Sequence, residues 1–168
     1  MTRKELYRTV LWSLSVLGVL AFIYTNSLMP ATVSDAQSGE VFSLVSQLFP
    51  FLTHHLVRKL AHFSEYALLG VLFSLDLWGF GLLARAKSKS RLLLTCLSEI
   101  PCCTLCALID EFVIQRLTPG RGPSILDVLI DTAGAVTAAL LVFGIVLLVR
   151  HARKKKHTTT CKTEKNML

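Results

Sequence analysis

The stretch that decides the fold runs from Ile125 to Val149 and reads ILDVLIDTAGAVTAALLVFGIVLLV. Its only charges are Asp127 and Asp131, near its start. A helix needs about 20 residues to cross the hydrocarbon core of a bilayer, and this stretch is long enough. It stops at Arg150, with His151, Arg153, Lys154, Lys155 and Lys156 close behind. Three more apolar blocks precede it, from Val10 to Met29, Leu60 to Leu83 and Leu92 to Leu117. Pro101 sits inside the third and predicts a kink there, because proline lacks the N–H that a helix interior uses.

The composition agrees. Of 168 residues, 52% are hydrophobic and 17% charged, with a mean hydropathy of +0.56. A soluble domain carries charge on about a quarter of its residues. The length allows one domain. The expected architecture is all-α, a polytopic membrane protein built as a four-transmembrane-helix bundle. The bundle covers residues 10–149. An N-terminal arm covers 1–9, and a basic tail covers 150–168, read as disordered from His157 onward. The first block lacks a small-x-small cleavage site before Pro30, so it reads as a retained signal anchor.

The net charge is +7. Basic chains often bind nucleic acid, but no nucleic-acid module is present, and no such partner is expected. The basic residues instead flank the apolar blocks, where they set topology. With the N-terminus in the cytoplasm, fourteen of the eighteen Lys and Arg residues fall inside: three in the arm, four from Arg85 to Arg91 and seven from Arg150 onward. Only Arg58, Lys59, Arg116 and Arg121 fall outside. Both termini are therefore expected in the cytoplasm. The outer segment from Pro30 to Val57 then begins polar and turn-rich. It continues with Val41, Phe42, Leu44, Val45, Leu48 and Phe49 at helical spacing before Pro50. That stripe predicts a short extracytoplasmic interfacial helix, or a lid over the bundle.

The informative polar residues sit at helix ends. Arg58-Lys59-Leu60-Ala61-His62-Phe63-Ser64-Glu65-Tyr66 opens the second block. Lys59, His62 and Tyr66, and likewise Arg58, His62 and Glu65, are three or four apart and share a face. Asp110, Glu111 and Gln115 close the third block, Arg121 follows in the loop, and Asp127 and Asp131 open the fourth. Gly134 and Ala138 continue the aspartate face and admit a close neighbour. Asp131 lies about 9 Å along the helix from Ile125. The topology brings all these segments to one depth on the outer side. Ionisable groups within a membrane are costly and suggest function. His62, Glu65 and Asp131 are the candidates for proton transfer. Arg58, Lys59, Tyr66, Asp110, Glu111, Gln115, Arg121 and Asp127 are the candidates for binding. A structural ion-pair network is the competing reading. Asn26 and Ser27 either join this cluster or cap a helix end. Asp76 and Glu99, toward the cytoplasmic half, are expected to pair with the Arg85–Arg91 loop.

Three nearby cations weigh against a metal, and no metal or cofactor is expected. Cys96, Cys102, Cys103 and Cys106 share one apolar block without a histidine and read as packing residues. Cys161 is in the tail.

These motifs, in this order, resemble the VanZ-like family of bacterial membrane proteins. The resemblance lies in Arg58-Lys59 with His62, Glu65 and Tyr66, in Asp110-Glu111 with Gln115, and in Pro119-Gly120-Arg121. It ends with Asp127, Asp131 and Gly134, while Asn26-Ser27 and Pro30 fit the family's first-helix ending. It spans about Val10 to Val149. It implies a cell-envelope role, in founding members low-level resistance to glycopeptides such as teicoplanin. Three functions stand. The first is an envelope factor that binds or modifies a lipid-linked or anionic headgroup substrate, with membrane lipids, a lipid-linked cell-wall precursor or a glycopeptide as partner. The second is a non-enzymatic scaffold whose charges are structural. The third is a small transporter.

Overall fold

The computed structural model of the protein describes residues 3–165, with side chains to residue 155. Those residues are all helical apart from short connections. In order they form α1 (Arg3–Ser27), α2 (Ala31–Leu48), α3 (His54–Gly79), α4 (Leu82–Arg85), α5 (Lys89–Leu97), α6 (Ile100–Ile109), a π-helical segment (Asp110–Gln115) and α7 (Ile125–Lys165). Four spans are long and apolar enough to cross a membrane: α1, α3, the run Lys89–Gln115, and α7 as far as Lys155.

Each boundary has a local cause. Thr53 caps α3, its hydroxyl accepting the Leu56 N–H at 3.2 Å. Gly81, with φ 75°, takes the left-handed turn that ends α3. The span thus starts six residues before Leu60 and stops short of Leu83, which belongs to the separate turn α4. The third span is broken in two at Ser98 and Glu99, just ahead of Pro101, as its missing N–H requires. Ser124 caps α7 by accepting the Asp127 N–H at 3.2 Å.

Two expectations are corrected. The polar segment Ala31–Glu40 is helical, continuous with the apolar stripe in one 18-residue helix behind Pro30. Polar content gave a turn reading, but proline before the first turn, followed by eight residues without another proline or a glycine, favours helix. The tail read as disordered from His157 instead continues α7 to Lys165. Extending an existing helix adds a hydrogen bond per residue without a new nucleation cost. Residues 166–168 and the Cys161 side chain lie outside the described set.

α3 packs most extensively along α7 and next against α1. Two buried clusters fill the bundle. One holds Ile23, Tyr66, Leu69, Cys103, Ala107 and Ala135. The other holds Leu83, Leu92, Cys96 and Ala139. Outward-facing Leu14, Leu105, Leu141 and Leu148 are exposed, which fits a surface turned to lipid rather than water. The α3–α7 contact is set by small residues. A Cβ on Gly134 would lie 2.3 Å from the Phe63 carbonyl oxygen, and one on Gly70 would lie 2.9 Å from the Ala138 methyl.

Replacing Gly134 should therefore force the two helices apart. Gly134→Val is expected to destabilise by about 3 kcal/mol, the upper end of overpacking penalties. Gly144→Ala, with nothing within 4 Å of its Cβ, should be tolerated or stabilise by up to about 1 kcal/mol through helix propensity. Thermal unfolding in mild detergent compares them, and equal midpoints would sink the account.

Candidate functional site

Close packing at Gly134 aligns α3 with the start of α7, and the polar residues of both helices meet. Lys59 and Asp127 form an ion pair between side chains about one-sixth exposed. One turn deeper, His62 Nδ1 lies 3.6 Å from Asp131 Oδ1. That separation suits an ion pair but exceeds a hydrogen bond. Asp131 is fully buried, and neither of its carboxylate oxygens has a hydrogen-bond partner among the described residues.

The π-helical segment supplies the third wall. Its i→i+5 hydrogen bonding brings residues five apart into register, which an α-helix would not do. Gln115 consequently reaches both acids: its Nε2 donates to Asp110 Oδ2 at 3.2 Å and also to Glu111 Oε1. Asp110 and Glu111 are fully buried. Ser27 at the end of α1 donates to Asp110 Oδ2 at 2.9 Å. The Ser124 backbone N–H, at the entrance to α7, donates to Glu111 Oε2 at 2.9 Å. Asn26 Nδ2 lies 3.5 Å from Glu65 Oε1. Asn26 and Ser27 thus join the cluster rather than merely capping α1.

α2 closes the same end. Arg58 pairs with Asp35 at 2.9 Å. Ser38 Oγ lies 2.8 Å from His54 Nε2, and the Ala31 N–H donates to the Pro119 carbonyl at 3.2 Å. Beneath it is a cavity of about 250 Å³, whose polar lining includes Asn26, Arg58, His62, Glu65 and Arg121, with Ser34, Gln37 and Ser38 of α2. Arg121 donates to Gln115 Oε1 at 3.5 Å, and its Nε has no partner. Burial, and then the neighbouring Arg58 charge, pull Arg121 below the ordinary arginine value.

All eleven residues singled out in the sequence fall in this region, though unequally. Lys59 and Asp127 engage each other, while Arg58 and Arg121 border the cavity. Tyr66 is fully buried, its hydroxyl unpartnered. Asp35, Ser34, Gln37 and Ser38 were missed. Ser34, Gln37, Ser38 and Val41 recur at three- and four-residue spacing and mark a second face of α2, a signal hidden while the segment was read as a turn-rich loop. Asp76 and Glu99 do not pair with the Arg85–Arg91 loop. Asp76 accepts from Ser13 at 2.7 Å and buried Glu99 from Ser74 at 2.6 Å, because both face neighbouring helices instead of the loop.

The four spans and this cluster define a polytopic helical membrane protein with a polar site at one end of its bundle. The family model described as VanZ/LLP1 matches residues 12–149, and the chain belongs to that family. No curated protein and no solved structure matches the chain.

The Lys59–Asp127 pair should behave as one unit. Lys59→Met or Asp127→Asn alone is expected to cost about 3 kcal/mol, since each leaves a mostly buried charge unpaired. The double variant should lose clearly less than the sum. A double-mutant cycle in detergent unfolding reads the coupling, and additive losses would refute it.

Proposed function

We propose that the protein is a cell-envelope factor whose polar end faces outward and binds an anionic headgroup, lipid-linked or part of a membrane lipid. The carrying observation is the cavity bordered by the Arg58 and Arg121 guanidinium groups under the polar face of α2. Two neighbouring guanidinium groups favour an anion between them, and arginine suits bidentate contact with phosphate. The exposed apolar side chains of α2, Val41, Leu44 and Leu48, support a position at the membrane surface. His62 with Glu65 or Asp131 is placed for proton transfer, should the bound molecule be modified. The family resemblance links this reading to glycopeptide resistance of the teicoplanin type, which a susceptibility measurement on a deletion strain tests.

A scaffold with purely structural charges is the second reading. Such a network normally satisfies its members. The unpartnered oxygens of Asp131, Tyr66 and Asp110 and the unpartnered Arg121 Nε speak against it.

Two outcomes are expected. In nanodiscs containing phosphatidylglycerol or a polyprenyl phosphate, native mass spectrometry should find retained anionic lipid. Arg121→Ala should weaken retention about tenfold, the equivalent of one charge-assisted contact. Equal retention by zwitterionic and anionic lipid would overturn the reading. Separately, single-cysteine labelling in intact cells should reach residue 37 and fail at residue 88, as both termini in the cytoplasm require. The reverse pattern would invert the topology.

A further inference from the structure

We propose that His62, Glu111 and Asp131 form a binding site for one divalent transition-metal cation of the Zn²⁺ or Mn²⁺ class. One ring nitrogen of His62 and one carboxylate oxygen each from Glu111 and Asp131 all lie within 4.8 Å of one another. The 3.6 Å between His62 Nδ1 and Asp131 Oδ1 is too long for a hydrogen bond. It matches two ligands of one ion, since donors about 2.1 Å from a tetrahedral metal stand about 3.4 Å apart.

The bonding of the three groups favours this assignment. Asp131 is fully buried with both oxygens unpartnered, and His62 Nδ1 has no partner either. A buried carboxylate left without any donor carries a large desolvation cost. A cation held between these atoms would satisfy them together. The Tyr66 hydroxyl, one turn along α3 from His62, is also fully buried and unpartnered. It is a ready donor to a carboxylate or to metal-bound water. Glu111 is held by Gln115 and by the Ser124 N–H. Each carboxylate oxygen keeps a free lone pair after one such bond, and outer hydrogen bonds of this kind orient metal ligands.

Two of the three nearby cations are already matched by other acids, and the third, Arg121, donates to Gln115 rather than to a carboxylate. Lys59 pairs with Asp127 and Arg58 with Asp35. Glu65, Asp110, Glu111 and Asp131 then have no Lys or Arg ion pair among the described residues. One imidazole with two carboxylates suits Zn²⁺ or Mn²⁺ better than an all-oxygen Mg²⁺ or Ca²⁺ site, and better than a thiolate site. Three protein ligands leave a coordination position free. His62 lines the cavity, so that position can face it. The metal site stands whether or not the cavity holds a headgroup.

The test uses the full chain in mild detergent, stripped with a chelator and titrated separately with Zn²⁺ and Mn²⁺ by calorimetry. Wild type is expected to bind one equivalent of at least one ion. His62→Ala, Glu111→Gln and Asp131→Asn should each weaken binding by at least about tenfold, while Glu99→Gln in the other half should not. Co²⁺ loaded in place of the ion should show no thiolate charge-transfer band, which excludes Cys102, Cys103 and Cys106. Failure of wild type to bind either ion saturably overturns the proposal without reference to any variant. So does binding that survives all three substitutions in monodisperse protein, or a thiolate band from Co²⁺.

Discussion

The polar site depends on the close approach of α3 and α7. Gly134 lets the α7 backbone approach the Phe63 carbonyl, and Gly70 does the same at Ala138. Within a membrane, apolar contact alone gives little reason for one helix pair to prefer one register, and small residues with polar neighbours supply it. Here both act together. The glycine contact sets the spacing, and Lys59 with Asp127 and His62 with Asp131 set the register, one turn apart. A helix slid by one residue would separate both pairs.

That packing brings a concentration of carboxylate to a region where carboxylate is expensive. Asp110, Glu111 and Asp131 are fully buried, and charged groups in such surroundings persist only when paired, hydrogen-bonded or neutralised. Asp110 and Glu111 are provided for by Ser27, Gln115 and the Ser124 N–H. Asp131 is not. The asymmetry separates the acids: hydrogen bonds hold Asp110 and orient Glu111, while Asp131 is left facing His62.

Much of this was legible in the sequence. The four spans follow from apolar length, and the break in the third from Pro101. Residues three and four apart on an α-helix share a face by geometry alone, so the alignment of Lys59, His62 and Tyr66 needed no structure. Three features were not legible. The π-helical turn that carries Gln115 to Asp110 leaves no mark in hydrophobic periodicity. The partners of the cations depend on α2, whose polar half resembled a loop, so Arg58 was not seen to meet Asp35. Asp76 and Glu99 were assigned to basic residues near in sequence, while serines on neighbouring helices were nearer in space.

The two halves of the site call for opposite charges, which argues for one composite arrangement. Near α2 lie Arg58 and Arg121, and Arg121 keeps a buried Nε without a partner. Deeper lie the carboxylates, with Asp131 unpartnered. An anion alone would answer the guanidinium groups but leave Asp131 exposed to its own desolvation cost. A cation alone would answer Asp131 but leave Arg121 depressed beside Arg58. Under the two proposals, a metal ion at the floor with an anionic group above it would satisfy both, the cation drawing the anion inward and the arginines holding it from outside. In such a geometry α2 is the part that must move for a headgroup to enter. Its contacts with the bundle include Arg58 to Asp35, Ser38 to His54, Ala31 to Pro119 and the Phe42 ring edge-on to His54. It buries no residue of its own. An element that buries none of its side chains fully opens at lower cost than the four spans, each of which contributes to the buried core.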